Sequence, residues 1–178
     1  MIANWKFLVE LLKDKPHEAG AEIGVFEGEC SVKLLENLPG LRMLLCVDPW
    51  LRYKGFCDRM PKPNGRIGKA EFDEVYRRFL GNIEPHRDRV IIMRTMSHHA
   101  AAHVANGSLD FVFIDGNHTY EYVISDIREW LPKVAEGGVI AGHDYKDKPN
   151  YGVIQAVKES FGKDFSVDIE SAIWHKHI

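Results

Sequence analysis

The sequence predicts an α/β protein, doubly wound around a mostly parallel sheet with helices on both faces. Apolar runs with strand character alternate five times with segments of helical spacing, an order typical of parallel sheets whose crossovers are helices. The run RMLLCVD, residues 42–48, is almost continuously apolar, which indicates a strand buried on both faces. The length of 178 residues fits a single domain over residues 1–178.

Apolar residues at helical spacing predict the helices. Trp5, Leu8, Val9 and Leu12 follow the i, i+3, i+4, i+7 pattern and place the first helix within residues 1–15. The other predicted helices cover residues 30–38, a segment around 72–79, 97–106, 119–131 and 151–162.

The strands are predicted from short apolar or alternating runs between turn residues. They cover residues 20–26, 42–48, 89–94, 109–115 and 137–144, followed by a terminal hairpin of 165–169 and 172–176. Residues 51–69 are rich in Pro, Gly and Lys and are predicted to be a long loop. Irregular loops beyond about 12–15 residues are usually functional, so we interpret this one as a substrate or lid loop.

Composition limits the function. The net charge of −3 provides no basic face for nucleic acid or for an anionic membrane. No apolar run reaches the roughly 18–20 residues that span a bilayer, and charges interrupt the N-terminal segment, unlike a signal peptide. Cys30, Cys46 and Cys57 are odd in number and lack CxxC spacing, which predicts free thiols and a cytoplasmic location.

A ligand site is expected where the parallel strands end. Gly24 and Gly28 follow the first strand, and a glycine turn there lets a ligand approach the backbone. Phe26 occupies the middle glycine position of the dinucleotide fingerprint, so a pyrophosphate cradle is not predicted. Asp48 ends the second strand and can accept hydrogen bonds from a ribose diol, while Glu22 suits an ammonium or sulfonium group. The alternative is that Glu22 forms a salt bridge and Asp48 only ends its strand.

Four segments carry a resemblance to a known family: EIGVFEG, CVDPW, FVFIDGNHTYE and WLPKVAEGGVIAGHDY. Together they resemble class I S-adenosylmethionine-dependent methyltransferases, in particular the small O-methyltransferases of the macrocin and catechol types. The resemblance covers about residues 20–145 and implies a Rossmann-like, seven-stranded sheet with one antiparallel strand in the C-terminal hairpin. It also implies a set of cofactor-binding residues. These are Glu22, Gly24, Val25, Gly28, Asp48, Met96, Ser97 and Asp115.

The resemblance also implies acids that hold a metal at the ends of the fourth and fifth strands. Asp115 and Asp144 occupy these places, and His143 stands where relatives often have a second acid. Two alternatives follow. Either Asp115, His143 and Asp144 bind a divalent ion, Mg²⁺ or with a histidine ligand Mn²⁺, or His143 does not ligate and the site works without metal.

A catalytic base is expected near the same strand ends, since a hydroxyl acceptor must lose a proton. His118 is the leading candidate because imidazole titrates near neutral pH, and His143 and Asp144 are predicted to share in catalysis. Asn117 or Thr119 is predicted to cap the helix that follows.

The predicted function is therefore cytoplasmic transfer of a methyl group from S-adenosylmethionine to a hydroxyl of a small molecule, sugar-like or catechol-like. A chain without room for a long substrate cap favours a homodimer. Two alternatives stay open, a dinucleotide-dependent oxidoreductase and a non-catalytic nucleoside-binding module. Trp50, Tyr53 and Phe56 either stack on the adenine or an aromatic acceptor, or anchor their loop.

Overall fold

A computed structural model describes residues 4–15, 17–53 and 69–178. Most of the predicted lid loop, including Phe56, lies outside the described residues. The described strands form one seven-stranded sheet in the order β3-β2-β1-β4-β5-β7-β6. They are β1 Ala19–Ile23, β2 Met43–Val47, β3 Val90–Met93, β4 Leu109–Ile114, β5 Val134–Gly142, β6 Ser166–Asp168 and β7 Ile173–His177.

Strands β1 to β5 are parallel, and the C-terminal hairpin completes the sheet. β7 pairs antiparallel with β5, and β6 pairs antiparallel with β7. The predicted Rossmann-like architecture and its terminal hairpin are thus confirmed.

Six α-helices are described: α1 Asn4–Leu12, α2 Glu29–Asn37, α3 Lys69–Ile83, α4 Ser97–Ala101, α5 Tyr120–Trp130 and α6 Val153–Phe161. The first three pack on one face of the sheet, where Leu12, Leu34 and Phe79 belong to one buried cluster. The last three pack on the other face, where Ile127 and Val157 belong to a second cluster. Two apolar cores on opposite faces explain why the central strands are apolar throughout.

Several predicted boundaries were wrong, mostly at strand ends. The first strand ends at Ile23, because the chain turns at Gly24. The fourth helix ends at Ala101, well short of the predicted residue 106. A 3₁₀ helix, Glu84–Arg89, follows α3 and was not predicted. Among the described residues, no helix is long and apolar enough to cross a membrane.

The strand order fixes the place of the site. β1 lies between β2 and β4, so the connections leaving β1 and β4 diverge and open a crevice at their carboxyl ends. The backbone N–H of Asp115 donates to the carbonyl of Ile23 at 2.7 Å, and that of His143 donates to Ile114 at 3.0 Å. These bonds hold the loops after β1, β4 and β5 side by side.

Candidate functional site

The turn after β1 depends on a glycine. Gly24 has a φ of 91°, and its N–H donates to the carbonyl of Val47 at 2.8 Å. A Cβ at this position would lie 2.4 Å from the carbonyl oxygen of Asp115 and 2.5 Å from Cα of Gly116. Only glycine therefore lets the first turn pass directly against the loop after β4.

Asp48 fastens the same turn from the end of β2. Its Oδ2 accepts the backbone N–H groups of Val25 and Phe26 at 3.1 and 3.0 Å, and its Oδ1 accepts that of Trp50 at 2.7 Å. The indole N–H of Trp50 donates to the carbonyl of Phe26 at 2.7 Å. Trp50 is buried and stacks on Phe79 with ring centroids 4.7 Å apart, so it anchors its loop in the core.

Gly28 has a structural explanation outside the crevice. It is the N-cap of α2 with a φ of 79°, and a Cβ there would lie 2.7 Å from the Phe79 ring. Within the part of the chain that the structure describes, it lines neither of the two cavities described below. The start of α2 and the Phe79 ring thus explain Gly28, and its role in cofactor binding stays a prediction.

Two cavities flank the glycine turn and meet at Gly24 and Asp115. One, of about 520 Å³, runs past Asp48, Met96 and the loop after β4. The other, of about 620 Å³, is lined by Glu22, Val25 and the start of α2. An elongated ligand with an apolar ring at one end and charged groups at the other fits this pair of spaces. Every predicted cofactor residue except Gly28 lines at least one of them.

Glu22 is a carboxyl group buried in the sheet at the second cavity. It is 1% exposed and accepts a hydrogen bond from the hydroxyl of Ser31. Burial raises the pKa of Glu22 to about 8, although the Ser31 hydrogen bond opposes the shift. Without a nearby cation the side chain is mostly protonated at neutral pH, and a cationic ligand would favour its charged form.

The loops after β4 and β5 bring two acids and a histidine together. Asp115, His118 and Asp144 each offer a ligand atom, and these atoms lie within 4.8 Å of one another. Nε2 of His118 is 3.0 Å from Oδ2 of Asp144 and 3.7 Å from Oδ1 of Asp115. That nitrogen is buried and not aligned for a hydrogen bond with any residue in the described ranges.

The metal set predicted from the sequence differs from this cluster in its histidine. Nδ1 of His143 lies 3.3 Å from Asp115 and 3.8 Å from Asp144, at the side of the cluster. His118 takes its place because the loop after β4 folds back over Asp115. The side chain of Asn117 makes this fold by accepting the backbone N–H of Thr119 at 2.9 Å. Thr119 is the N-cap of α5 without a side-chain capping bond, so neither predicted cap operates as such.

Charge holds the cluster in a defined protonation state. Burial alone would raise the pKa of Asp144 and of Asp115, but their histidine neighbours outweigh it and hold both pKa values below the ordinary range. Burial opposes the charged form of His118, yet Asp115 and Asp144 raise its pKa to about 9. With only these two carboxylates beside it, His118 carries a proton at neutral pH and cannot serve as a base.

Residues that the sequence analysis missed complete the cluster. Nζ of Lys146 lies 3.0 Å from Oδ1 of Asp144, which leaves Oδ2 facing His118. The ring of Tyr151 stacks on His118 at 4.8 Å and 9°. Asp144 itself has a φ of 56°, a strained conformation for a non-glycine residue. The DYKDKPNY composition after β5 signals a turn, but nothing in it shows which side chain returns to His118.

Fold and site together define the class of protein. A parallel sheet with a glycine turn after β1 and ligand space at the β1–β4 crevice is the architecture of α/β enzymes that bind nucleoside cofactors. The chain belongs to the methyltransferase-domain family, whose model matches residues 21–145, most of the chain. The chain therefore contains a methyltransferase domain, and the resemblance to methyltransferases stated from the sequence is confirmed.

Solved structures support the fold at low sequence identity. An O-methyltransferase from Bacillus cereus in complex with SAH superposes with a TM-score of 0.67 at 16% identity, covering 98% of this chain and 80% of that one. A putative rRNA methylase from Clostridium thermocellum superposes with a TM-score of 0.68 at 11% identity, covering 100% of this chain and 97% of that one.

One curated relative is an uncharacterized protein of Sinorhizobium fredii, 24% identical over 113 residues. The match covers 60% of this chain and only 12% of the length of that protein.

Proposed function

We propose that this methyltransferase transfers the methyl group of S-adenosylmethionine to a hydroxyl of a small molecule. We further propose that Asp115, His118 and Asp144 hold a divalent cation beside the transferred methyl. The observation that carries the proposal is the convergence of these three groups, of which Asp115 lines both cavities and His118 lines the one of about 520 Å³.

The residues fit a cation on three counts. Asp115 and Asp144 supply carboxylate oxygens, the preferred ligands of Mg²⁺ and Mn²⁺. Nε2 of His118 is a buried nitrogen 3.0 Å from Oδ2 of Asp144. Lys146 occupies only Oδ1 of Asp144, so Oδ2 remains directed inward. One imidazole with two carboxylates favours Mn²⁺ over Mg²⁺.

A bound divalent cation lowers the pKa of a hydroxyl and orients it. The chain's own groups do the remaining work. Gly24 and Asp115 form the shared wall between the two cavities, so a ligand that occupies both must pass the acid cluster. Tyr151 and Lys146 fix the orientations of His118 and Asp144. In this role His118 would hold the cation through Nε2, so that nitrogen would not also serve as the base.

The acceptor space has aromatic character. Tyr53 and Tyr122 lie with ring centroids 5.4 Å apart, and both line the cavity of about 520 Å³ with Tyr151. Flat apolar walls beside a hydroxyl-activating cluster favour a small aromatic acceptor with a free hydroxyl over a sugar. The net charge of −3 supports a small molecule over RNA.

The test combines metal binding with turnover. Methyl transfer from S-adenosylmethionine is measured over catechol-type, sugar and RNA acceptors, with Mn²⁺, Mg²⁺ or EDTA. We expect a catechol-type acceptor to be methylated and EDTA to abolish the reaction. Full turnover in EDTA would reject the cation, and methylation of RNA alone would reject the small-molecule acceptor.

Asp144→Asn is expected to weaken Mn²⁺ binding by roughly 100-fold or more, because the amide keeps the shape of the side chain but loses its charge. Calorimetric titration of the purified variant measures this. The matched control is Asp147→Asn, an exposed acid three residues along, which should bind Mn²⁺ like the unmodified protein. Equal Mn²⁺ affinity in both variants would contradict the assignment of Asp144.

A further inference from the structure

We propose that Asp126 reads the amino edge of the cofactor's adenine and selects the adenosyl group over its deaminated, inosyl counterpart. The inference rests on the cofactor of the proposed function and concerns a residue that the chemistry at Asp115, His118 and Asp144 does not use.

Asp126 is an acid on the buried face of α5. Val123, Ile127 and Trp130 of the same face are core residues, yet Asp126 among them is only 6% exposed. Asp126 lines the cavity of about 520 Å³ together with Met96, Ser97 and Gly116. A Cβ placed on Gly116 would lie 3.9 Å from Oδ2 of Asp126, so the carboxyl sits directly beside the loop after β4.

The neighbours of Asp126 leave hydrogen-bond acceptor positions of its carboxylate available to a ligand in the cavity. Within the described ranges, no Lys, Arg or His nitrogen lies within ion-pair distance of it. Its polar neighbour is the hydroxyl of Ser97, whose oxygen accepts the indole N–H of Trp130 at 2.8 Å. Because an indole only donates, the Ser97 proton is available to Asp126. One interaction with a hydroxyl satisfies a fraction of the four acceptor positions of a carboxylate.

A buried carboxyl with one neutral partner is unfavourable in the ligand-free protein. Burial raises the pKa of Asp126 to about 7, with Ser97 opposing the shift. The core gains nothing visible from an acid at this point of α5, where an apolar side chain would extend the stripe of Val123 and Ile127. A ligand that donates hydrogen bonds into the cavity would offset this penalty.

The ligand must donate a hydrogen bond, because the carboxylate of Asp126 is a hydrogen-bond acceptor. The amino group of adenine donates, whereas hypoxanthine carries an acceptor oxygen at the same position. An ionised Asp126 accepts from the first and repels the second. Ser97, one of the cofactor-binding residues that the resemblance implies, thus acts through Asp126, since both sides of its hydroxyl are engaged within the protein.

The experiment compares two ligands by calorimetry at about pH 8.5, where Asp126 is ionised. The ligands are S-adenosylhomocysteine and S-inosylhomocysteine. The unmodified protein is expected to bind the adenosyl ligand about 10- to 100-fold more tightly. In Asp126→Asn, whose amide can donate to the hypoxanthine oxygen, the ratio is expected to fall to about 3-fold or to invert. Glu129→Gln, on the same helix and away from the cavity, should keep the original ratio.

The outcomes separate this inference from the proposed function. If the unmodified protein binds neither ligand, the cofactor assignment falls and this inference falls with it. If it binds S-adenosylhomocysteine but shows equal affinity for the inosyl ligand, or if Asp126→Asn keeps the original ratio, only the role of Asp126 is overturned. The first of these measurements needs no variant, so a folding defect in Asp126→Asn does not rescue the inference.

Discussion

Replacing Gly24 with alanine is expected to abolish S-adenosylhomocysteine binding and to lower the free energy of unfolding by about 3 kcal/mol or more. The added Cβ would lie 2.4 Å from the carbonyl oxygen of Asp115 and 2.5 Å from Cα of Gly116. Both are backbone atoms held by neighbouring strands, so no side chain can rotate away. The loops after β1 and β4 must separate, and the walls of both cavities move with them. Urea unfolding and calorimetry measure the two effects.

Gly107→Ala provides the matched control for this variant. Gly107 also has a positive φ, 64°, but a Cβ there has no described atom within 4 Å. Gly107→Ala therefore introduces only the strain of a positive φ, about 1–2 kcal/mol, and no collision. It should leave cofactor binding intact. If Gly24→Ala and Gly107→Ala lose the same stability and both bind the ligand, the close approach of the two loops is not essential.

Glu22→Gln is expected to stabilise the protein at alkaline pH and to make its free energy of unfolding less dependent on pH. Burial raises the pKa of folded Glu22 to about 8 from the ordinary value of 4.5 for a glutamate side chain. A folded pKa above the unfolded one gives a contribution that is complete below about pH 4.5 and is lost as the pH rises through 8. The unmodified protein should therefore lose on the order of 4 kcal/mol relative to the variant between about pH 4.5 and 8. Denaturant unfolding at a series of pH values measures it.

Two comparisons make the Glu22 prediction specific. Glu18→Gln changes an exposed acid on the same segment and should leave the pH profile unchanged. Saturating S-adenosylhomocysteine should flatten the profile of the unmodified protein, because a ligand ammonium beside Glu22 favours the ionised form. Parallel profiles of the unmodified protein and Glu22→Gln would show that Glu22 is not strained by burial.

The sequence predicts the strands, though not all of their boundaries, because burial on both faces leaves continuous apolar runs. Asp48 and Asp115 stand out for this reason, since each follows such a run directly, and Asp144 follows one residue later. The strand order, in contrast, depends on which strands pair across the whole chain, and no local pattern encodes it. The strand order was therefore not predicted, and the family resemblance implied only a seven-stranded sheet with one antiparallel strand in the C-terminal hairpin, which the structure confirms.

The details of the site depend on loop geometry that residue types do not specify. His143 follows β5 directly and was preferred as a ligand, but the turn made by Asn117 brings His118 closer to the shared space. Gly28 matches a glycine pattern, yet the structure explains it by the close packing of the Phe79 ring. Asp126 could have been found, because it is a charged residue at the helical spacing of Val123, Ile127 and Trp130.

The hydrogen bonds of Asp48 also determine how a cofactor can be received. The amides of Val25 and Phe26 already donate to its carboxylate, and the carbonyl of Phe26 already accepts from Trp50. These backbone groups are thus committed before any ligand arrives, and the cofactor has to find its partners among the remaining atoms of the site. Because these bonds already hold the turn in place, binding of the cofactor requires little ordering of the chain and loses little conformational entropy there.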